Sequence, residues 1–307
     1  MFDVAIIGGG PGGSAAAVYA ARKLLKTVLI TDLFGGQSVV SAEIQNWIGT
    51  PAISGEELAK NLEAHVRAYA GDVVDIIKGE RVLKVVAEDD HFILTTKSGK
   101  SYSAKTVLVT AGGSRRKLNV PGADTFDNKG VTYCASCDGP LFGGSDVVVI
   151  GGGNAGFETA AQLLAYAKSV TLLHRGAQYS ADPVTVEKVL AHPNMRGVLN
   201  AETSLITGDK FVNGLTYKDR TTGAETSLAV SGIFVEIGMV PSTEFVDGLV
   251  ELDQYRRIVI DHKTQKTSRT GIWAAGDCTS SLYHQNNIAA GDAVKALEDI
   301  YVHLKTK

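Results

Sequence analysis

The sequence predicts an α/β fold with two mostly parallel, doubly wound sheets covered by helices. Three observations predict it. A 28-residue stretch occurs twice: residues 3–30 and 146–173 align without a gap at an offset of 143, with nine identities. Short β-branched runs alternate with Ala-rich stretches along the 307 residues, the pattern of strands joined by crossover helices. Gly, Pro and Ser concentrate at 112–117 and 238–243, on either side of the second copy. The expected plan is a discontinuous first domain, residues 1–112 and 244–307, with a second domain, residues 113–243, inserted into it.

The elements follow in order. Residues 4–7 read as a strand, and Gly8-x-Gly10-x-x-Gly13 as a tight turn opening a helix near Gly12. Residues 28–31 form the next strand. A helix begins near Glu56, with Ser54 as N-cap and Leu58, Leu62 and Val66 on one face. Residues 107–110 give a further strand. The second copy repeats the scheme: strand 147–150, the turn Gly151-x-Gly153-x-x-Gly156, a helix from near Ala155, and strand 170–173. Residues 233–237 form another strand, and a last helix starts near Asn287.

Each glycine of such a turn has a physical role. The first allows the turn, the second lets a pyrophosphate approach the backbone, and the third lets helix and strand pack closely. The free N–H groups and the helix dipole then favour an anion. Two Rossmann-like dinucleotide-binding domains result. Pro11 lies inside the first turn, and Asn154 and Ala155 inside the second. The copies differ where the second strand ends. Asp32 in the first suits a free ribose 2′-hydroxyl, as in FAD or NAD. His174-Arg175 in the second suits the 2′-phosphate of NADPH.

Cys134-Ala135-Ser136-Cys137 is followed by Asp138. Two residues between cysteines bring the sulfurs within disulfide reach, and such pairs often have a depressed thiolate pKa. A carboxylate cannot stabilise a thiolate by charge, so Asp138 fits proton delivery or removal. Half of a zinc site is disfavoured because no second Cys pair exists, and no metal is expected. Buried, inert thiols are the other reading. Cys278 is expected to pack as a small apolar residue.

Thirty Lys and Arg against 33 Asp and Glu leave a net charge of −3, with no footprint for nucleic acid or an anionic membrane. No apolar run is long enough to span a bilayer, and the chain opens on a strand without a basic leader, so a cytoplasmic location is expected.

These residues together give the chain a family resemblance. GGGPGG at 8–13, GGQ at 35–37, EIQNW at 43–47, TAGG at 110–113, CASCDG at 134–139, GGGNAG at 151–156, GIFVEIGMVPST at 232–243 and AAGDCTSSLYHQNNIAAGDA at 274–293 resemble the low-molecular-weight thioredoxin reductases of bacteria and archaea. The resemblance implies the pyridine nucleotide-disulfide oxidoreductase fold and a homodimeric flavoenzyme with FAD in the first domain. Gly8, Gly10, Pro11, Gly13, Asp32, Gly36, Gln37, Asn46, Val82, Ala111 and Gly112 are expected at FAD. Gly276 and Asp277 are expected at its ribityl–phosphate region, and Gln285 and Asn286 near its isoalloxazine. Gly151, Gly153, Asn154, Ala155, Gly156, His174, Arg175, Ile237 and Gly238 are expected at NADPH.

The implied reaction passes electrons from NADPH through FAD to a Cys134–Cys137 disulfide, with Cys137 facing the flavin. Cys134 then attacks the disulfide of a thioredoxin-like protein while Asp138 handles the proton. The joints at 112–117 and 238–243 are the expected hinge between two domain orientations. One departure stands out: the family's His-Arg-Arg and a further Arg four residues on become His174-Arg175-Gly176 and Ser180. That keeps NADH, or another donor, open beside NADPH. The alternatives are a reductase of a peroxiredoxin- or glutaredoxin-like partner, whose relatives usually carry an N-terminal thioredoxin-like extension, and a non-catalytic flavin redox sensor.

Overall fold

The computed structural model describes residues 1–41 and 43–306, with Ser136 described as backbone only. The chain forms two compact units, Met1–Ser114 with Val240–Lys307, and Arg115–Met239. In chain order the strands are β1 (Phe2–Gly9), β2 (Thr27–Phe34), β3 (Val74–Lys78), β4 (Val82–Ala87), β5 (Phe92–Thr96), β6 (Ser101–Val109), β7 (Gly113–Arg115), β8 (Val131–Thr132) and β9 (Asp146–Ile150). They continue as β10 (Ser169–Leu173), β11 (Met195–Val198), β12 (Ala201–Gly208), β13 (Val212–Asp219), β14 (Glu225–Ala229), β15 (Gly232–Val235), β16 (Met239–Pro241) and β17 (Ile272–Ala274). The helices are α1 (Pro11–Arg22), α2 (Gly55–Ala70), α3 (Ala135–Asp138), α4 (Asn154–Leu163), α5 (Pro183–Leu190) and α6 (Asn286–Lys305).

In the first unit β3-β2-β1-β6 run parallel, and β17 adds in parallel to the far half of β6. The near half of β6 instead carries the antiparallel pair β5 and β4. Val4, Ala5 and Ile6 are fully buried, because a central parallel strand is covered on both faces and so reads as a continuous apolar run. One cover is Ala-rich: Ala16, Ala17 and Ala20 of α1 pack with Ala293, Ala296 and Leu297 of α6. The opposite cover draws on β4, β5 and Val246, Val250 and Ile258. Ser54 caps α2 by accepting a hydrogen bond from the Glu57 amide, and Leu58 and Val66 form its buried face.

In the second unit five parallel strands take the order β11-β10-β9-β15-β8. Helices α4 and α5 cover one face through Phe157, Ala160, Leu163 and Val189. The antiparallel sheet β12-β13-β14 covers the other through Ile206, Leu215 and Tyr217.

Two strand ends differ from the sequence expectation. The strand expected over 233–237 stops at Val235, because Glu236 turns its side chain into a polar cluster described below. Thr110 lies just beyond β6: its amide still donates to the Ile7 carbonyl at 2.9 Å, and its hydroxyl donates to the carbonyl oxygens of Ile7 or Gly8.

Candidate functional site

The first glycine turn opens into a cleft of about 630 Å³, contained in the first unit. The residues fit a dinucleotide by a direct test. A Cβ on Gly13 would overlap the Gly8 carbonyl, and one on Gly8 would overlap the Thr110 carbonyl, so these positions close the turn. Gly10 differs: a Cβ there would meet nothing nearer than the Gly36 Cα at 3.9 Å. The second glycine thus leaves open space facing another glycine, where a pyrophosphate requires close approach.

The cleft brings together Gly8, Gly10, Pro11, Asp32, Gly36, Gln37, Val82, Ala111, Gly112, Gly276, Asp277 and Asn286. Gly13 lies outside its lining, as do Asn46 and Gln285, which bond to each other at 3.2 Å. Gln37 donates to the Gly113 carbonyl, and Asn286 accepts from Ser38 at 2.9 Å. Asp32 carries a partner that sequence spacing did not reveal: Arg81 approaches one of its oxygens through both Nε and Nη2 at 2.8 Å.

The second turn is built the same way. Gly151 has φ +134°, and a Cβ on it would overlap the Glu236 carbonyl; one on Gly156 would overlap the Gly151 carbonyl. Gly153 is open, its nearest neighbour being Ser180 Oγ at 3.6 Å from a Cβ position. Asn154 accepts from the Asp182 amide at 2.8 Å, while Ala155 is exposed. The His174 ring lies against Gly152 and within 2.7 Å of where a Gly176 Cβ would stand. Arg175 is exposed, and its carbonyl accepts from Arg220 at 3.0 Å. Ser180 donates its amide to the Gly152 carbonyl at 2.8 Å.

Strand order arranges this edge. Dinucleotides lie across the carboxyl ends of such strands, with the pyrophosphate at the turn. The turn follows β9, Arg175 follows β10 on one side, and Glu236, Ile237 and Gly238 follow β15 on the other. Cys134 follows β8, one strand farther on that second side. Ile237 is half-buried and Gly238 exposed, with φ +107°.

Cys134 and Cys137 form a disulfide with Cα atoms 5.3 Å apart, both half-buried. Cys134 caps the short helix α3, and its sulfur accepts from the Cys137 amide at 3.2 Å. Asp138 accepts a hydrogen bond from Thr132. Burial pushes the Asp138 carboxyl above its ordinary value, and the Thr132 bond pulls it partly back. Cys278 is fully buried in the first unit, and burial pushes its thiol up to about 12, leaving it inert at neutral pH.

Glu236 was missed by sequence reasoning. Its carboxylate accepts from Thr159 at 3.0 Å and from Arg115 at 2.9 Å. Burial raises its pKa, against the pull of Arg115. Among the described residues, no group of three His, Cys, Asp or Glu stands where it could hold a metal, and no helix is long and apolar enough to cross a membrane.

Comparison with known proteins bears on this geometry. The profile of the pyridine nucleotide-disulphide oxidoreductase family matches residues 2–293. The NADH dehydrogenase of Bacillus subtilis is 44% identical over 96% of the chain and 57% of its own length. A component of the alkyl hydroperoxide reductase of Escherichia coli is 42% identical over 96% of the chain and 57% of its own length. The chain therefore spans little more than half the length of these curated relatives. The crystal structure of thioredoxin reductase from Streptococcus pyogenes superposes with a TM-score of 0.91 at 34% identity, covering 100% of this chain and 99% of that one.

Proposed function

The chain belongs to the pyridine nucleotide-disulphide oxidoreductase family, and from that premise we propose that it is a flavin-dependent reductase of a thioredoxin-like protein disulfide. The family's cofactors are FAD and NAD(P)H. The observation that carries the proposal is the Cys134–Cys137 disulfide with Asp138 beside it, at the same strand edge as the second glycine turn. A sensor that only binds a dinucleotide needs no such pair.

The cleft of the first unit is the proposed FAD site. Gly10 and Gly36 admit the pyrophosphate, Asp32 takes the ribose hydroxyl and Asp277 the ribityl–phosphate region. FAD supplies a two-electron relay between the nicotinamide and the disulfide. The remaining chemistry belongs to the chain. Opening the Cys134–Cys137 bond with Cys134 left as thiolate consumes two electrons and one proton, and Asp138, whose burial favours its neutral form, donates that proton to Cys137. The Cys137 amide favours thiolate at Cys134 by hydrogen bonding to its sulfur. That thiolate attacks the partner disulfide: a bond forms from Cys134 to one partner sulfur, and the other sulfur leaves and takes up a proton. Cys137 then returns its proton to the Asp138 carboxylate and attacks Cys134 Sγ, re-forming the internal disulfide and releasing the second partner sulfur, which takes up a proton from solvent.

For the donor, we rank NADH ahead of NADPH. The space beside Gly176 is filled by the His174 ring, Ser180 is tied to the glycine turn, and Arg175 alone remains of the three arginines the resemblance implies. A relative at 44% identity is named for NADH. A second partner reading, a thioredoxin-like component of a peroxide-reducing system, is favoured by the relative at 42% identity named for alkyl hydroperoxide reduction.

Anaerobic titration tests the proposal. The purified protein should be yellow, bleach with NADH at lower concentration than with NADPH, and recover its colour on adding a thioredoxin disulfide. A colourless protein, or a bleached one that no protein disulfide reoxidises, refutes it.

A further inference from the structure

The mechanism above makes no use of Arg115 and Glu236. The Glu236 side chain is 6% exposed, and both its oxygens are engaged, Oε1 by Thr159 and Oε2 by Arg115. The Arg115 side chain is 34% exposed and carries five N–H donors, of which the Glu236 contact uses one. A buried ion pair is weak grounds for stability, since an apolar pair of similar size often serves as well.

The first copy of the fold shows that the pair is not needed to build such a turn. There the residue whose carbonyl backs the first glycine is Thr110, whose hydroxyl is satisfied locally by Ile7 and Gly8. In the second copy that place belongs to Glu236, which reaches instead for Arg115. Position gives the pair a use. Arg175 follows β10 and marks the adenosine side of the Gly151 turn, so the β15 side, where Glu236 stands, is the nicotinamide side.

We propose that Arg115, held by Glu236, binds the phosphate of the nicotinamide mononucleotide half of the coenzyme, with Glu236 as a positioning residue. This rests on the reading of the second turn as the coenzyme cradle. A guanidinium suits a phosphate because its planar fork matches the oxygens. The carboxylate keeps that fork from swinging away and leaves its other donors for the ligand.

Calorimetry on the oxidised, flavin-loaded full chain tests this with two probes. NAD⁺ carries both halves; AMP carries only the adenosine half. Arg115→Ala should weaken NAD⁺ binding about tenfold or more and leave AMP within about twofold. Glu236→Ala should do the same, the double variant should be no worse than either single one, and Glu236→Gln should recover most of the loss, because the amide oxygen still accepts from Arg115. Flavin content and melting temperature monitor folding. Should Arg115→Ala not fold, Arg115→Lys carries the test, with a loss of about threefold for NAD⁺ and none for AMP. Equal losses for both probes, or none for either, overturn the inference while wild-type binding of AMP keeps the cradle reading. A wild type that binds neither probe overturns both.

Discussion

Thr132→Val probes the proton path at the disulfide. Thr132 is buried at the end of β8 and donates the hydrogen bond that reaches the Asp138 carboxyl. No charged group is among the causes of the Asp138 shift: burial raises the pKa and Thr132 lowers it. Valine fills nearly the same volume and removes the hydroxyl. A hydrogen bond to an ionised group is worth about 1.5–3 kcal/mol, against about 0.5–1.5 for a neutral pair. The bond therefore favours ionised over neutral Asp138 by about 1–1.5 kcal/mol, or roughly one pKa unit. Removing it should move the Asp138 pKa upward by about that much. The assay is stopped-flow reaction of the NADH-reduced enzyme with a protein disulfide from about pH 5 to 9. The limb assigned to Asp138, absent in Asp138→Asn, should shift up by about one unit. A limb that stays in place or moves down refutes the reasoning. Stability should follow by linkage. A carboxyl whose folded pKa exceeds its unfolded value of 3.8 loses stability as pH rises through the interval between them. Thr132→Val widens that interval, so its melting temperature should fall more than that of the wild type as pH rises above 3.8.

Four other outcomes are expected. Cys134→Ser should retain yellow flavin that NADH bleaches, yet reduce no protein disulfide in steady-state assays; turnover at the wild-type rate would refute its role. Ser180→Arg should improve NADPH relative to NADH as judged by kcat/KM, by about tenfold for one charge-assisted contact. Gly176→Arg should weaken both coenzymes, because its Cβ would stand 2.7 Å from the His174 ring and displace it. Gly13→Ala should lower both flavin content and melting temperature, at a cost of about 1–3 kcal/mol, since the new methyl runs into the Gly8 carbonyl and within 2.8 Å of Thr110 Oγ1; a variant with full flavin and unchanged melting would refute the role given to that glycine.

The parts legible in the sequence are those with a local signature. Fully buried parallel strands leave unbroken apolar runs, and the two turns and the Ser54 cap each carry their own spacing. The antiparallel strands were harder to read. In β12 the buried positions Ala201, Thr203 and Ile206 break alternation because the ladder is irregular between Thr203 and Leu205. The unread partners are long-range: Arg81 reaches Asp32 across 49 residues, and Arg115 reaches Glu236 across 121. Nothing in the spacing of either pair marks it. Thr132 lies only six residues from Asp138, but a lone threonine at the end of a two-residue strand carries no signal.

The strand orders extend the duplication well beyond 28 residues. The parallel strands β3-β2-β1-β6-β17 of one unit correspond in place to β11-β10-β9-β15-β8 of the other. Asp32, within the last residues of β2, and Arg175, just past β10, then stand at the ends of equivalent strands, and Thr110 and Glu236 follow another equivalent pair. Gly276-Asp277 follows β17, and Cys134 follows the equivalent β8. The chain reaches that last strand late in the first unit and early in the second. One edge position thus holds, in one copy, a carboxylate proposed for the flavin's sugar–phosphate chain, and in the other the disulfide. A disulfide at that position lies one strand beyond Glu236, on the side of the turn where the nicotinamide belongs. On the proposed reading of the second turn, coenzyme and disulfide occupy neighbouring places along a single edge of the second unit. On that same reading, a copy with one of the three arginines implied for a 2′-phosphate can still use the Arg115–Glu236 pair at the opposite end of the coenzyme.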